Sequence, residues 1–192
     1  MEEAPMKVLV ACEFSGVVRE CFRTRGHDAW SCDLLPTEWP GQHIQDDIRN
    51  VDLSQFDLMI AHPPCRYLAQ SGARWWKDHI DEQRQAGEFC RWLWQAPVQR
   101  IAIENPRGRA TRYLGIPTQC IEPWHFGHPE TKATNLWLKG LPLLRPTAIS
   151  LILRSARVHH ERPGPDRWKR RSRTLHGIAA AMAKQWGGDW TR

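Results

Sequence analysis

Asp57-Leu58-Met59-Ile60-Ala61-His62-Pro63-Pro64-Cys65 is the stretch whose reading decides the fold. Asp57 to Ala61 has the length and apolar content of a buried strand, and the Pro-Pro pair ends it because proline cannot donate to a strand ladder. Cys65 is therefore expected at the strand's C-terminal edge, where ligands bind in open α/β sheets. Two stiff residues ahead of a thiol leave it little conformational freedom to lose, which suits a nucleophile. A turn with an incidental cysteine is the bland alternative, so the partners found elsewhere in the chain decide between them.

Working outward, Lys7 to Cys12 reads as a buried first strand and Glu13-Phe14-Ser15-Gly16 as a tight turn. Val17 to Arg25 has helical spacing, with Val18, Cys21 and Phe22 on one face and Gly26 at the C-terminal cap. Asp28 to Cys32 predicts a second strand ending at Asp33, and His43 to Asp47 a third edge beyond a loop marked by Pro36, Pro40 and Gly41. After Cys65 come a polar loop and a helix from about Ile80 to Gln95, with Phe89, Trp92 and Leu93 toward the sheet. Arg100 to Ile103 is another strand, ending at Glu104-Asn105-Pro106. Strands alternating with helices imply right-handed crossovers and a mostly parallel sheet covered on both faces.

The second half reads differently. Gln119 to Phe126 and Ala133 to Lys139 predict an antiparallel pair at the sheet's edge, joined through Gly127-His128-Pro129. Between Arg154 and Arg173 lie Arg157, Arg162, Arg167, Lys169, Arg170 and Arg171 against only Glu161 and Asp166, a solvated face or a phosphate track. Leu175 to Trp186 predicts a last helix packed on the core through Ile178, Met182 and Trp186.

At 192 residues the chain suits one domain with its own core. No run of eighteen apolar residues occurs and the N-terminus lacks a signal peptide's features, so a soluble, cytoplasmic protein with no membrane partner is expected. The six cysteines are irregularly spaced with no Cys-x-x-Cys pair, which argues against disulfides and structural zinc. His125-Phe126-Gly127-His128 and His159-His160 lack companion ligands, so no metal is expected. A formal charge of +6 favours a polyanionic partner such as nucleic acid. Most of the eleven tryptophans should be core, although Trp75 and Trp76 are placed to cover a pocket or stack on a base.

Asp33, Cys65 and Glu104 each follow a predicted strand, and Asp47 a further edge. Successive strand ends of a doubly wound sheet share one side, so these groups converge on one crevice. Gly16 permits a turn close enough for backbone N–H groups to approach a ligand.

With these residues in place, the chain resembles the cytosine-C5 DNA methyltransferases. The resemblance rests on Phe14-Ser15-Gly16, Asp47-Ile48, Pro63-Pro64-Cys65 and Glu104-Asn105, in that family's order and near its spacing. A segment from Trp124 through Lys132 to Leu138 looks like the family's later strand pair. The match covers most of residues 7 to 140, and the overall look is of the small phage-type members. It implies a Rossmann-like S-adenosylmethionine-dependent methyltransferase fold and transfer of a methyl group to carbon 5 of cytosine in DNA.

Carbon 5 of cytosine is a poor nucleophile, so a thiolate must first add to carbon 6, and Cys65 fits that role. The negative charge then spreads toward N3, where a carboxyl kept protonated by burial can meet it; Glu104 fits that role. The resemblance implies S-adenosylmethionine held by Phe14, Ser15, Gly16, Asp33, Leu34, Asp47, Ile48 and Pro63, with the two aspartates as acceptors for ribose hydroxyls and the adenine amino group. It implies Pro64, Asn105 and Thr134 beside the substrate. Lys132 is a further catalytic candidate, because alternate strand residues share a face and Lys132 and Thr134 would both point at the base.

The departures from the family pattern are specific. Val17 and Val18 stand where the first turn is usually richer in glycine, and Glu130-Thr131-Lys132-Ala133-Thr134 replaces a Gln-x-Arg-x-Arg motif. His176-Gly177 replaces an asparagine. Only about 141–174, a basic segment, is available where the family carries a long target-recognition region, so sequence selectivity should be slight or borrowed. Two competing readings remain: the same cysteine chemistry moving another sulfonium-borne group or acting on RNA or a free nucleotide, and a non-catalytic module that binds cofactor and nucleic acid.

Overall fold

The strand over Leu58–Ala61, β4, is fully buried, and it lies at the centre of a seven-stranded sheet in a computed structural model that describes residues 4–188. The other strands are β1 (Lys7–Ala11), β2 (Asp28–Asp33), β3 (His43–Gln45), β5 (Arg100–Pro106), β6 (Gln119–Ile121) and β7 (Thr134–Lys139). Their order is β3-β2-β1-β4-β5-β7-β6. Strands β1 to β5 run parallel, and β7 is antiparallel to both of its neighbours. The order reverses between β1 and β4, which makes the C-terminal edge there the crevice of a doubly wound sheet.

Alternation along the central strands divides the core into two layers. Val8, Val10, Leu58 and Ile60 face α1 (Val17–Arg23) and α5 (His176–Trp186), where Val18, Phe22, Ile178 and Met182 meet them. Leu9, Ala11, Met59 and Ala61 face the other way, toward Cys90 and Leu93 of α2 (Ile80–Trp94) and toward Ile48, Leu53 and Phe56. Both faces are covered, so these strands read as continuous apolar runs. Two short helices complete the fold, α3 (Thr111–Leu114) and α4 (Arg167–Ser172).

Several expectations are corrected. The strand predicted over Gln119 to Phe126 stops at Ile121, because Pro123 starts a 3-10 turn over Pro123–His125. Strand β7 begins at Thr134, not Ala133, which leaves Lys132 in the approach to the strand. Trp92 does not face the sheet; it is 38 % exposed and stacks on Phe89, while Leu93 takes the core position. Among the described tryptophans only Trp137 and Trp186 are fully buried, whereas Trp39, Trp75, Trp92 and Trp168 are exposed. The loop after Cys65 forms a 3-10 run over Gln70–Asp78. Among the described residues, no helix is long and apolar enough to cross a membrane.

Candidate active site

The site is built where β4 and β5 end side by side. Ala61 pairs with Ile103, so the next residues, His62 and Glu104, come level, and His62 Nδ1 lies 2.8 Å from Glu104 Oε2. Both side chains are nearly nine-tenths buried. Asn105, buried one residue further on, donates from Nδ2 to the Pro63 carbonyl at 3.1 Å. The Cys65 carbonyl accepts from the backbone N–H groups of Leu68 and Ala69, and the chain beyond it is tied to the loop after β5 through Gln70 N–H to Arg107 and Arg109 N–H to Leu68. The Pro-Pro-Cys segment is thus clamped to β5 on both sides.

Cys65 is half-buried, neither sealed in the core nor freely exposed. Burial pushes its thiol up; the positive charges of Lys132 and Arg171 pull it down, and Glu104 pushes it up again. Burial would likewise raise Glu104, but the charge and hydrogen bond of His62, with Lys132 and Thr174, outweigh it and hold the carboxyl down to about 2. Glu104 is therefore ionised here, contrary to the expectation that burial alone would keep it protonated. His62 is raised: burial lowers it, and Glu104 and Glu13 more than offset that against opposition from Lys132. Cys65, Glu104, His62 and Lys132 thus form one electrostatic group.

Lys132 is fixed from two sides. Its N–H donates to Glu122 Oε2 at 2.9 Å and its Nζ to the Arg171 carbonyl at 3.2 Å. Thr134 is buried, and its hydroxyl donates to the Lys132 carbonyl at 2.9 Å. Thr134 thus holds the backbone of Lys132. Pro64 is exposed beside Cys65 and Pro63 is buried behind it.

The other end of the crevice follows β1 to β3. Cys12 has a left-handed backbone at φ 59°, and Gly16 has φ 73° as it caps α1. A side chain at Gly16 would strike the Arg19 guanidinium at 2.7 Å and Trp39 at 3.0 Å, which accounts for glycine there. Glu13, which the sequence reading placed only in the turn, is buried and accepts from the N–H groups of Val18 at 2.7 Å and Arg19 at 3.2 Å. It also takes the Ser15 hydroxyl at 3.2 Å, so Ser15 contributes backbone more than side chain to anything bound here.

Asp33 ends β2 and uses Oδ1 to accept from Leu35 N–H. Its carboxyl is raised, by burial first. Asp47 caps the turn Ile48–Asn50 by accepting from Arg49 N–H at 3.0 Å, and Ile48 is buried in the core. Leu34 is 70 % exposed at the lip. Asp33 and Asp47 both act electrostatically on Cys12, which places them around the end of β1. Two carboxylates with remaining lone pairs, at the C-terminal edge of β2 and β3 next to the switch point, are acceptors suited to ribose and adenine donors.

The basic segment folds back over this crevice. Trp168 of α4 meets Phe14 with ring centroids 5.9 Å apart, and Arg173 makes a bidentate ion pair with Glu38 at 2.7 and 2.8 Å. Arg154 lies 3.6 Å over the Trp124 ring. Trp76 is covered by Arg109 at 4.2 Å, while Trp75 stands exposed beside Arg74. Among the described residues, no group of three or more His, Cys, Asp or Glu side chains is arranged to hold a metal ion.

These features define a Rossmann-like α/β fold, with a mostly parallel seven-stranded sheet and an antiparallel edge pair, a fold shared with a solved methyltransferase. A methyltransferase of Entamoeba histolytica, EhMeth, superposes with a TM-score of 0.52 at 13% identity, over 84% of this chain and 61% of that one. A triple mutant of Spodoptera frugiperda DNMT2 aligns with a TM-score of 0.41 at 15% identity, over 78% of this chain and 54% of that one. The chain thus spans less than two thirds of either structure. No protein-family model and no curated protein matches the sequence.

Proposed function

We propose that the protein transfers a methyl group from S-adenosylmethionine to carbon 5 of cytosine in DNA, through a covalent adduct between Cys65 and carbon 6. The observation that carries this reading is the level meeting of two adjacent strand ends: β4 delivers a half-buried thiol within the electrostatic field of Lys132, and β5 delivers Glu104. The fold class and the sequence resemblance support it.

Phe14, Gly16, Asp33, Asp47 and Pro63 would hold the cofactor, with the aspartates as hydrogen-bond acceptors and the 14–16 turn offering backbone. Bound there, S-adenosylmethionine supplies an electrophilic methyl group. Cys65 Sγ, once deprotonated, forms a bond to carbon 6, and the electron pair of the 5,6 double bond moves toward N3 and carbon 5. Glu104 faces the ring edge and takes part in protonating N3. Lys132 lowers the cost of the thiolate and of the charge that develops beside it. Loss of the carbon-5 proton then expels the thiolate. Attack from above the ring plane requires the cytosine to leave its stack, and the exposed arginines of 154–173 are suited to holding the flanking phosphates.

Nucleoside mass spectrometry of DNA, from a host lacking its own methylation, tests the reading: 5-methylcytosine should appear with the natural chain and vanish with Cys65→Ser. A different carbon-5 substituent would point to another sulfonium-borne group. Modified cytosine confined to RNA would move the substrate. Binding with no modification in any substrate, unaffected by Cys65→Ala, would mark a non-catalytic module.

A further inference from the structure

Glu104 presents a chemical problem. As an anion it can accept a hydrogen bond but cannot donate one, and the cytosine N3 that becomes basic on thiolate addition needs a proton. The neighbouring group able to supply it is His62, whose Nδ1 is 2.8 Å from Glu104 Oε2. Among the described residues, the second ring nitrogen, Nε2, is buried without a hydrogen-bond partner, and Glu104 Oε2 has no partner other than this ion-pair contact, so Glu104 is the charged group the ring meets directly.

We propose that His62 is the proton store of this site, a positioning residue that holds the proton Glu104 relays to N3 and takes it back when the thiolate leaves. This deepens the cytosine reading above and rests on it. In the forward step the Nδ1–H bond of His62 breaks as an O–H bond forms on Glu104, and that proton passes to N3 as the Cys65–carbon 6 bond forms. On elimination the carbon-5 proton goes to solvent, the electron pair re-forms the double bond and expels the thiolate, and the N3 proton returns through Glu104 to His62. The pair ends as it began.

The ring's surroundings favour this role. Glu104 from β5 and Glu13 from the turn after β1 act on it as negative charges, and Lys132 ahead of β7 opposes them. The two carboxylates raise the ring's affinity for the proton. The same pairing depresses Glu104, so the proton the two groups share rests on the imidazole rather than on the carboxylate.

His62→Asn separates this role from a merely structural one, because its side-chain amide nitrogen stands where Nδ1 stood and can still donate to Glu104, but carries no exchangeable acid. Single-turnover rates on a cytosine-containing DNA should be measured from pH 5 to 9 for both proteins. The pH dependence of iodoacetamide labelling of Cys65 is measured in both proteins, and each rate is divided by its own thiolate fraction, so a change in Cys65 ionisation does not enter the comparison. We expect a deficit of about 100-fold near pH 8, shrinking as pH falls and solvent protonates Glu104 directly. Equal rates, or a deficit that does not change with pH, would overturn the proton store and leave the cytosine reading intact. Absence of methylcytosine with the natural chain would overturn that reading and the proton's destination with it.

A second measurement does not depend on activity or on the asparagine variant folding. In a histidine-labelled NMR titration of the natural chain, one ring should titrate above the ordinary imidazole range, and Glu104→Gln should move that midpoint down. No histidine responding to Glu104→Gln would overturn the proposal.

Discussion

Asn105 Nδ2 donates to the carbonyl of Pro63 across 3.1 Å, with Asn105 only 1 % exposed. This bond joins β5 to the segment that carries Cys65, two residues beyond the carbonyl it holds. Asn105→Ala strands that buried carbonyl, so unfolding in urea should show a loss of about 1–3 kcal/mol. The rate of adduct formation with 5-fluorocytosine DNA should fall further than stability alone explains, since the thiol loses its fixed approach.

Cys65 should alkylate slowly at neutral pH and faster as pH rises, because burial holds its thiol above the ordinary range. Lys132 pulls the thiol down, so Lys132→Met should shift the pH dependence of iodoacetamide labelling to higher pH. Labelling of Cys90, pushed up to about 12 by burial, should stay negligible in both proteins and serves as the internal control.

The His62–Glu104 pair makes stability depend on pH in both directions. Glu104 is depressed from 4.5 to about 2, so its contribution is present above about pH 4.5 and is lost as pH falls toward 2. His62 is raised from 6.5, so its contribution is present below that value and is lost as pH rises through the higher folded value. Thermal unfolding of the natural chain should therefore show a contribution from the pair that is largest between about pH 4.5 and 6.5. Glu104→Gln should flatten that contribution and, by stranding a buried imidazolium, cost up to about 3–5 kcal/mol.

The basic segment should act through phosphates. Arg162 is exposed. Arg162→Glu should weaken DNA binding at every sequence alike, and the slope of log affinity against log salt should fall by about one. Breaking the ion pair of Arg173 with Glu38, by Glu38→Gln, should change global stability by no more than about 1 kcal/mol because both side chains reach solvent.

Gly177 tests the packing of α5. A methyl group there would sit 2.0 Å from the Phe126 carbonyl oxygen and 2.8 Å from His128 Nε2, and that nitrogen accepts from Gly177 N–H at 2.9 Å. Gly177→Ala should destabilise the protein by about 1–3 kcal/mol despite alanine's better helix propensity, as read by urea unfolding.

Local pattern determined much of the architecture. The apolar runs before Asp33, Cys65 and Glu104 are strands because their lengths and their Pro or acidic stops say so, and helices between them force parallel pairing. That alone put the thiol and the carboxylate at one edge. Where the sequence misled, a single residue overrode the pattern: Pro123 halted the strand from Gln119, and Trp92 gave its core position to Leu93 because a one-residue step turns a helix by about 100°.

The state of Glu104 was decided by tertiary structure. Its ionisation depends on His62, Lys132 and Thr174, which are brought around it by strand register and by the return of the chain after β7. Burial in isolation predicts a neutral acid; burial beside an imidazole and an ammonium gives an anion. The same holds for the basic segment, whose composition announced charge but whose contacts with Phe14 and Glu38 arise from residues more than a hundred positions away. Periodicity is a local property and is legible along the chain, whereas the field at a buried atom is the sum over whatever the fold brings near it.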